Sequence, residues 1–358
     1  MRRVVLAATL LLVSCGDAEE SESPSRETTA RSLGTEESPV LELVAEVEEP
    51  VDAAMRFGDD AVYLVSRTGM VMRLVDGSLE PQPALDITDL TTAEGEQGLL
   101  GLDFAPNGST AYLNYTDNSG DTQIVALSVN REGVFDRSSM RTLLTIEQPY
   151  ANHNGGDLVV EPSGTVLVAT GDGGSGGDPD RVALDDSSLL GKVLRVDPDT
   201  GETTLLARGL RNPWRVDLHD DRLWLADVGQ GKWEEVSVIE GVSTIADVVD
   251  FGWSAVEGNE RFNDDQESLN HVPPVMVYEH GDDGCSISGG AIAPSGALAG
   301  QYVFADYCSG RVWSLDVVTP GSEKVQIAEG LESPVAVVRV GPDLMVLTLS
   351  GEVFLIVG

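Results

Sequence analysis

Lysine is nearly absent from this chain of 358 residues: only Lys192, Lys232 and Lys324 carry an ammonium group. Histidine is scarce, at four residues, and cysteine scarcer, at three. Acids outnumber bases 60 to 22, giving a formal net charge of −38. A surface of that sign repels nucleic acid phosphates and anionic lipid headgroups, so no nucleic acid partner is expected. It attracts cations, and it equally suits a salty surrounding. Long apolar runs are missing too: the stretch at residues 4–13 is too short to span a bilayer comfortably. No apolar stripe at helical spacing lasts beyond two turns, which leaves strands as the building material.

What is present begins with a targeting segment. Arg2 and Arg3 precede the apolar run, which ends Leu12-Val13-Ser14-Cys15. That ending resembles the lipobox of bacterial lipoproteins, whose cysteine becomes the lipidated first residue. The expectation is a signal peptide over 1–15, lipid on Cys15 and a disordered acidic tether over 16–38, rich in Glu, Ser and Thr. This makes the chain an exported lipoprotein of the cell envelope or periplasm, touching membrane only through its anchor. An ordinary cleaved signal with an incidental cysteine remains the alternative. In an oxidising compartment the other two cysteines, Cys285 and Cys308, are most simply a disulfide, contributing about 3 kcal/mol; free buried thiols are the alternative.

From residue 39 onward short alternating strands are separated by Gly, Asp, Asn and Pro clusters. One unit recurs: an apolar strand, a Pro/Gly/Asp turn, a second apolar strand, a gap, then a third. It begins at 53–65 and returns at 100–116, 156–171, 214–229, 288–307 and 335–350. Six copies at roughly 50 residues each match four-stranded propeller blades. The reading is an all-β, six-bladed β-propeller over 39–358, with the free strand at 40–47 closing the last blade. The longest insertion, 230–287, is the expected binding face.

His153 stands in Asn152-His153-Asn154-Gly155-Gly156, a loop just before a strand. Paired glycines permit close approach of backbone or ligand, and a neutral imidazole is a candidate base. Local sequence leaves open a structural histidine bonded to a neighbouring loop. The Gly- and Asp-rich stretch 171–180 has oxygen ligands suited to calcium but lacks EF-hand spacing, and no Lys-Ser/Thr follows to make it a phosphate cradle. A solvated turn is its plainer reading.

Several stretches together resemble the glucose/sorbosone dehydrogenase family, soluble sugar dehydrogenases that depend on pyrroloquinoline quinone (PQQ). They are EQGLLGLDFAP at 96–106, NHNGG at 152–156, LLGKVLRVDPDTG at 189–201, GLRNPWRVDL at 209–218, LWLADVGQGKWEEVSVI at 223–239, FGW at 251–253, and CSISGG with DYCSGRVWSL within 285–315. The resemblance covers nearly all of 50–358 in order. It implies a six-bladed propeller, calcium, and oxidation of the C1 hydroxyl of an aldose to the lactone. His153 matches the family's general base, and Arg211 with Asn212 a pair lying against the quinone oxygens. Gln97 matches a cofactor contact, and Asn152 stands where an aspartate is often found beside the base. The carbonyls of Gly229 and Gln230 match those holding the cofactor's calcium. Glu235 and the carbonyl of Phe251 resemble ligands of a second, structural calcium.

The chain departs from the family pattern in three places. Asp157 stands where arginine is common, Cys308 about where some members place a cofactor-binding lysine, and Arg339 alone where others have two arginines. These departures carry a second reading: a calcium-stabilised propeller that binds carbohydrate or protein without redox chemistry. Related hedgehog-interacting propellers keep the fold and the paired cysteines.

Overall fold

The computed structural model describes residues 39–319 and 322–358. Cys15 and the stretch 16–38 lie outside the described residues. Six antiparallel sheets surround a central channel. Their innermost strands are Pro50–Met55, Leu99–Phe104, Leu158–Val160, Pro213–His219, Ile287–Ile292 and Pro334–Val340, one for each repeat copy. Val40–Glu46 pairs antiparallel with Glu352–Val357 and completes blade six, as the free N-terminal strand implied.

Two blades exceed four strands. Leu85–Asp86 pairs with Met70–Val75 in blade one, and Val249–Asp250 runs parallel to Thr203–Arg208 at the rim of blade three. The second of these comes from the long insertion.

Each sheet buries both faces against its neighbours, so its inner strands are buried almost without interruption, as in Val166–Thr170 and Ile287–Ile292. Leu167, Ala169 and Val193 of blade three pack with Val216, Leu223 and Leu225 of blade four. Trp224 of blade four stacks on Tyr302 of blade five, with 5.3 Å between ring centroids. The apolar core is therefore a set of wedges between blades, and the innermost strands are left to line the channel.

Aspartates tie those innermost strands together. The Asp52 carboxylate accepts the Leu102 N–H (2.9 Å), Asp103 that of Val160 (2.7 Å), Asp157 that of Val216 (2.7 Å) and Asp217 that of Ile292 (2.9 Å). Each bond steps from one blade to the next, from blade one through blade five. Asp157, standing where the family pattern has arginine, is one of these latches.

Innermost strands run parallel around the axis, so their starts gather at one end of the channel and their ends at the other. Trp214 and Arg215 divide it. Trp214 donates its indole N–H to the Val335 carbonyl across the channel at 2.8 Å. Arg215, 1% exposed, lies 3.1 Å from Asp157 and 3.5 Å from Asp52. Beyond it a cavity of about 900 Å³ is lined by Asp52, Asp103, Asp157, Asp217 and further acids, with Arg215 and Arg339 the cations. Arg339 pairs with Asp217 at 2.7 Å. It therefore lies at the opposite end of the channel from His153.

Candidate active site

At the other end a cavity of about 560 Å³ is lined by the starts of the innermost strands and the loops before them. His153 sits on its wall with a positive φ of 56°, a conformation few non-glycine residues adopt. Neighbouring backbone holds it there. A Cβ on Gly171 would fall 1.8 Å from the His153 carbonyl oxygen, so only glycine fits where the two loops cross.

His153 Nδ1 lies 2.7 Å from Asp172 Oδ1, and its Nε2 lies 2.9 Å from Nη2 of Arg211. A guanidinium only donates, so Nε2 is the acceptor and the ring proton resides on Nδ1, facing the carboxylate. Asp172 is fixed in turn: its second oxygen accepts the Trp253 indole N–H at 2.8 Å. The imidazole is thus oriented from behind and presents a lone pair to the cavity. The start of the stretch 171–180 is not a solvated turn, because Gly171 to Gly174 are buried and deliver Asp172.

Arg211 also donates to the Val228 carbonyl (2.8 Å), and its guanidinium lies over the Trp253 ring at 5.8 Å. Buried Asp227 accepts the backbone N–H groups of Arg211 (3.0 Å) and Asn212 (2.6 Å). Burial raises the Asp227 carboxyl from 3.8 to about 7, against the pull of those two donors. Asn212 bonds the Gly155 N–H and donates to Glu96, which also takes the His153 N–H. Loops from blades two, three and four are thereby stitched around His153.

The expected residues divide into those that converge and those that stand apart. His153, Arg211, Asn212, Gly229 and Gln230 all line this cavity. Gln97 lies against Gly120 instead, and its neighbour Glu96 lines the cavity. Asn152 accepts the Ser175 N–H at 3.2 Å and fastens the loop behind His153.

Glu235 accepts the Gly258 N–H at 2.5 Å, and burial, with Asp227, Glu257 and Glu234 nearby, pushes its carboxyl well above the usual range. Phe251 donates its N–H to Arg208 in the wedge between blades three and four. Among the described residues, no group of three or more His, Cys, Asp or Glu side chains converges on a metal point. Cys285 and Cys308 are joined in a disulfide at the start of blade five.

Sequence reading missed Asp172, Glu96, Glu257 and the pair His280–Glu234. Oε1 of Glu257 accepts the N–H groups of Gln230 (2.8 Å), Gly231 (2.8 Å), Lys232 (3.0 Å) and Trp233 (3.3 Å). Peptide planarity then points the Gly229 and Gln230 carbonyls away from Glu257. His280 Nε2 lies 2.6 Å from Glu234, and that contact raises its pKa above the usual histidine value.

The family model for Glucose / Sorbosone dehydrogenase matches residues 47–352. HIPL1 protein of Arabidopsis thaliana is 30% identical over 233 residues, 52% of this chain and 32% of its own length. Human Hedgehog-interacting protein is 29% identical over 189 residues, 45% of this chain and 26% of its own. The chain thus spans about a third or less of the length of these relatives. The PQQ-bound form of aldose sugar dehydrogenase from Streptomyces coelicolor shares the fold, with a TM-score of 0.72 and 22% identity over 89% of this chain and 98% of that one. With a six-bladed propeller and a match over residues 47–352, this chain belongs to the glucose/sorbosone dehydrogenase family.

Proposed function

We propose that the protein is a PQQ- and calcium-dependent aldose dehydrogenase, oxidising the C1 hydroxyl of a sugar to the lactone with His153 as base. The observation that carries this reading is the Asp172–His153–Arg211 array, which offers a neutral imidazole lone pair inside a cavity suited to an anion. Its lining carries Arg67, Arg211 and His280 and one carboxylate, Glu96, with Glu49 and Glu234 pairing Arg67 and His280 from behind, in a chain of net charge −38. Ser288, on the same wall, has a buried hydroxyl without a partner. This donor set fits a flat tricarboxylate. The outward Gly229 and Gln230 carbonyls fit calcium, a cation that takes oxygen ligands.

When bound, the quinone supplies the hydride acceptor and calcium polarises it as a Lewis acid. The rest is work of this chain. His153 Nε2 takes the hydroxyl proton, and Asp172 steadies the imidazolium that forms. The substrate hydroxyl must replace Arg211 at Nε2, which frees the guanidinium to meet negative charge developing in the cavity. Asn212 and Glu96 hold the base loop in place. Glu257 keeps the Gly229–Gln230 carbonyls turned outward, and Glu235 with the Phe251 carbonyl would hold the second calcium. The same reading has the propeller tethered at the cell envelope through Cys15.

A second reading, a binding propeller without redox chemistry, is favoured by Cys308 lying in a disulfide and Arg339 lying at the far end. Dye-linked assays on chelator-treated protein separate the two. Aldose-dependent dye reduction that needs both PQQ and calcium, with lactone formed, is the expected result. No quinone binding and no oxidation of any aldose, in protein that calcium still stabilises, would favour the binding module.

A further inference from the structure

Cys308 stands about where some members of the family place a cofactor-binding lysine, and in this chain it is spent on the disulfide with Cys285. The wall beside it is built by Cys285, Ser286 and Tyr307, and His280 completes it. Behind His280 lies Glu234, 0% exposed, whose carboxylate accepts the Ile287 N–H at 2.8 Å and the Gly229 N–H at 3.3 Å. Its one ion-pair partner among the described residues is His280 Nε2, at 2.6 Å. A buried carboxylate needs such a partner, since removing it leaves an uncompensated charge. The 2.6 Å contact favours the protonated ring, raising its pKa above the ordinary histidine value, and fixes its plane. With Nε2 committed to Glu234, Nδ1 is the nitrogen left over, and among the described residues it has no hydrogen-bond partner.

The surroundings select the sign of the ligand. At the far end of the channel acids outnumber arginines, whereas the only carboxylate on this lining is Glu96, already taken by the His153 and Asn212 N–H groups. Arg67 is paired behind the wall with Glu49 and His280 with Glu234, and Arg211 has no carboxylate ion-pair partner among the described residues. The unpartnered Ser288 hydroxyl adds a neutral donor.

We propose that His280, held by Glu234, is the cationic subsite that receives a carboxylate of the quinone on the wall formed by blades four and five. This rests on the quinone reading above. It moves the role of the missing lysine to a residue in the 230–287 insertion, from a different part of the chain. Charge-assisted hydrogen bonds of this kind are among the stronger polar contacts, so loss of one weakens binding measurably.

The test titrates full-length apo-protein with PQQ and, separately, with its trimethyl ester, following tryptophan fluorescence with calcium present. Wild type is expected to prefer the acid. His280→Gln should weaken acid binding by roughly 10–100-fold and leave ester binding unchanged. His280→Arg, which keeps a cation there, should restore most of the preference. The acid-to-ester ratio within each variant cancels any loss of folded protein, so a destabilised variant still reports. An unchanged ratio in His280→Gln overturns the subsite while leaving the quinone reading intact. Wild type binding neither compound overturns both.

Discussion

At the scale of the residue, the site turns on one ring nitrogen. His153 Nε2 is an acceptor only because Asp172 holds the proton on Nδ1. Asp172→Asn places an amide against Nδ1 that can donate to it, which would move the ring proton to Nε2. Turnover should then fall by roughly 10²–10⁴ with the Michaelis constant for sugar little changed, a loss confined to the proton-accepting step. Steady-state kinetics of the quinone-loaded variant checks this; an unaltered turnover number would remove Asp172 from the mechanism. His153, Arg211 and Asn212 were legible in the sequence because their motifs are short and local. Asp172 was not: it lies 19 residues after the base, in a glycine-rich stretch that reads as a loop by composition. His280 and Glu257 escaped for a related reason. They lie in an insertion without repeat pattern, and only the folded chain brings His280 to the cavity wall and Glu257 behind the Gly229–Gln230 carbonyls.

At the scale of the element, the six innermost strands are joined by the aspartate latches, and burial decides what each contributes. Asp217, 6% exposed, holds the Ile292 N–H and also Arg339, so nothing replaces it when it is removed. Asp103 is only half-buried, and water from the large cavity can reach the Val160 N–H in its place. Asp217→Ala should therefore destabilise by about 2–3 kcal/mol and Asp103→Ala by about 1 kcal/mol, read from reversible urea denaturation. Equal losses would mean that the latches are not graded by burial. The repeat made the six blades and the closing strand plain from sequence. The two extra strands were not, because each spans two residues and pairs outside the repeating unit.

For the whole molecule, charge governs both stability and binding. Partial burial raises Asp103 to about 6 and near-complete burial raises Asp227 to about 7, from an unfolded value near 3.8. Between those limits the folded state binds more protons than the unfolded chain, so their stabilising contribution is present at low pH and lost as pH rises through the folded pKa values. Protonation also relieves self-repulsion in a chain of charge −38. Glu257 has the opposite sign: against burial, backbone donors hold it below its ordinary value, and its contribution is lost on acidification. The unfolding temperature, by calorimetry, should rise from pH 8 down to about 5 and fall again below about 4; a steady fall from pH 8 to 5 would contradict this. None of these measurements touches the central claim, that one end of this channel holds a quinone beside a base able to deprotonate a sugar. Single-turnover absorbance does. Protein loaded with PQQ and calcium is mixed with aldose, and the quinone spectrum is followed without any electron acceptor. Wild type should bleach to the reduced form within the turnover time, while His153→Ala binds the quinone equally and stays oxidised. Failure of wild type to bind it, or equal bleaching in both proteins, would contradict the account.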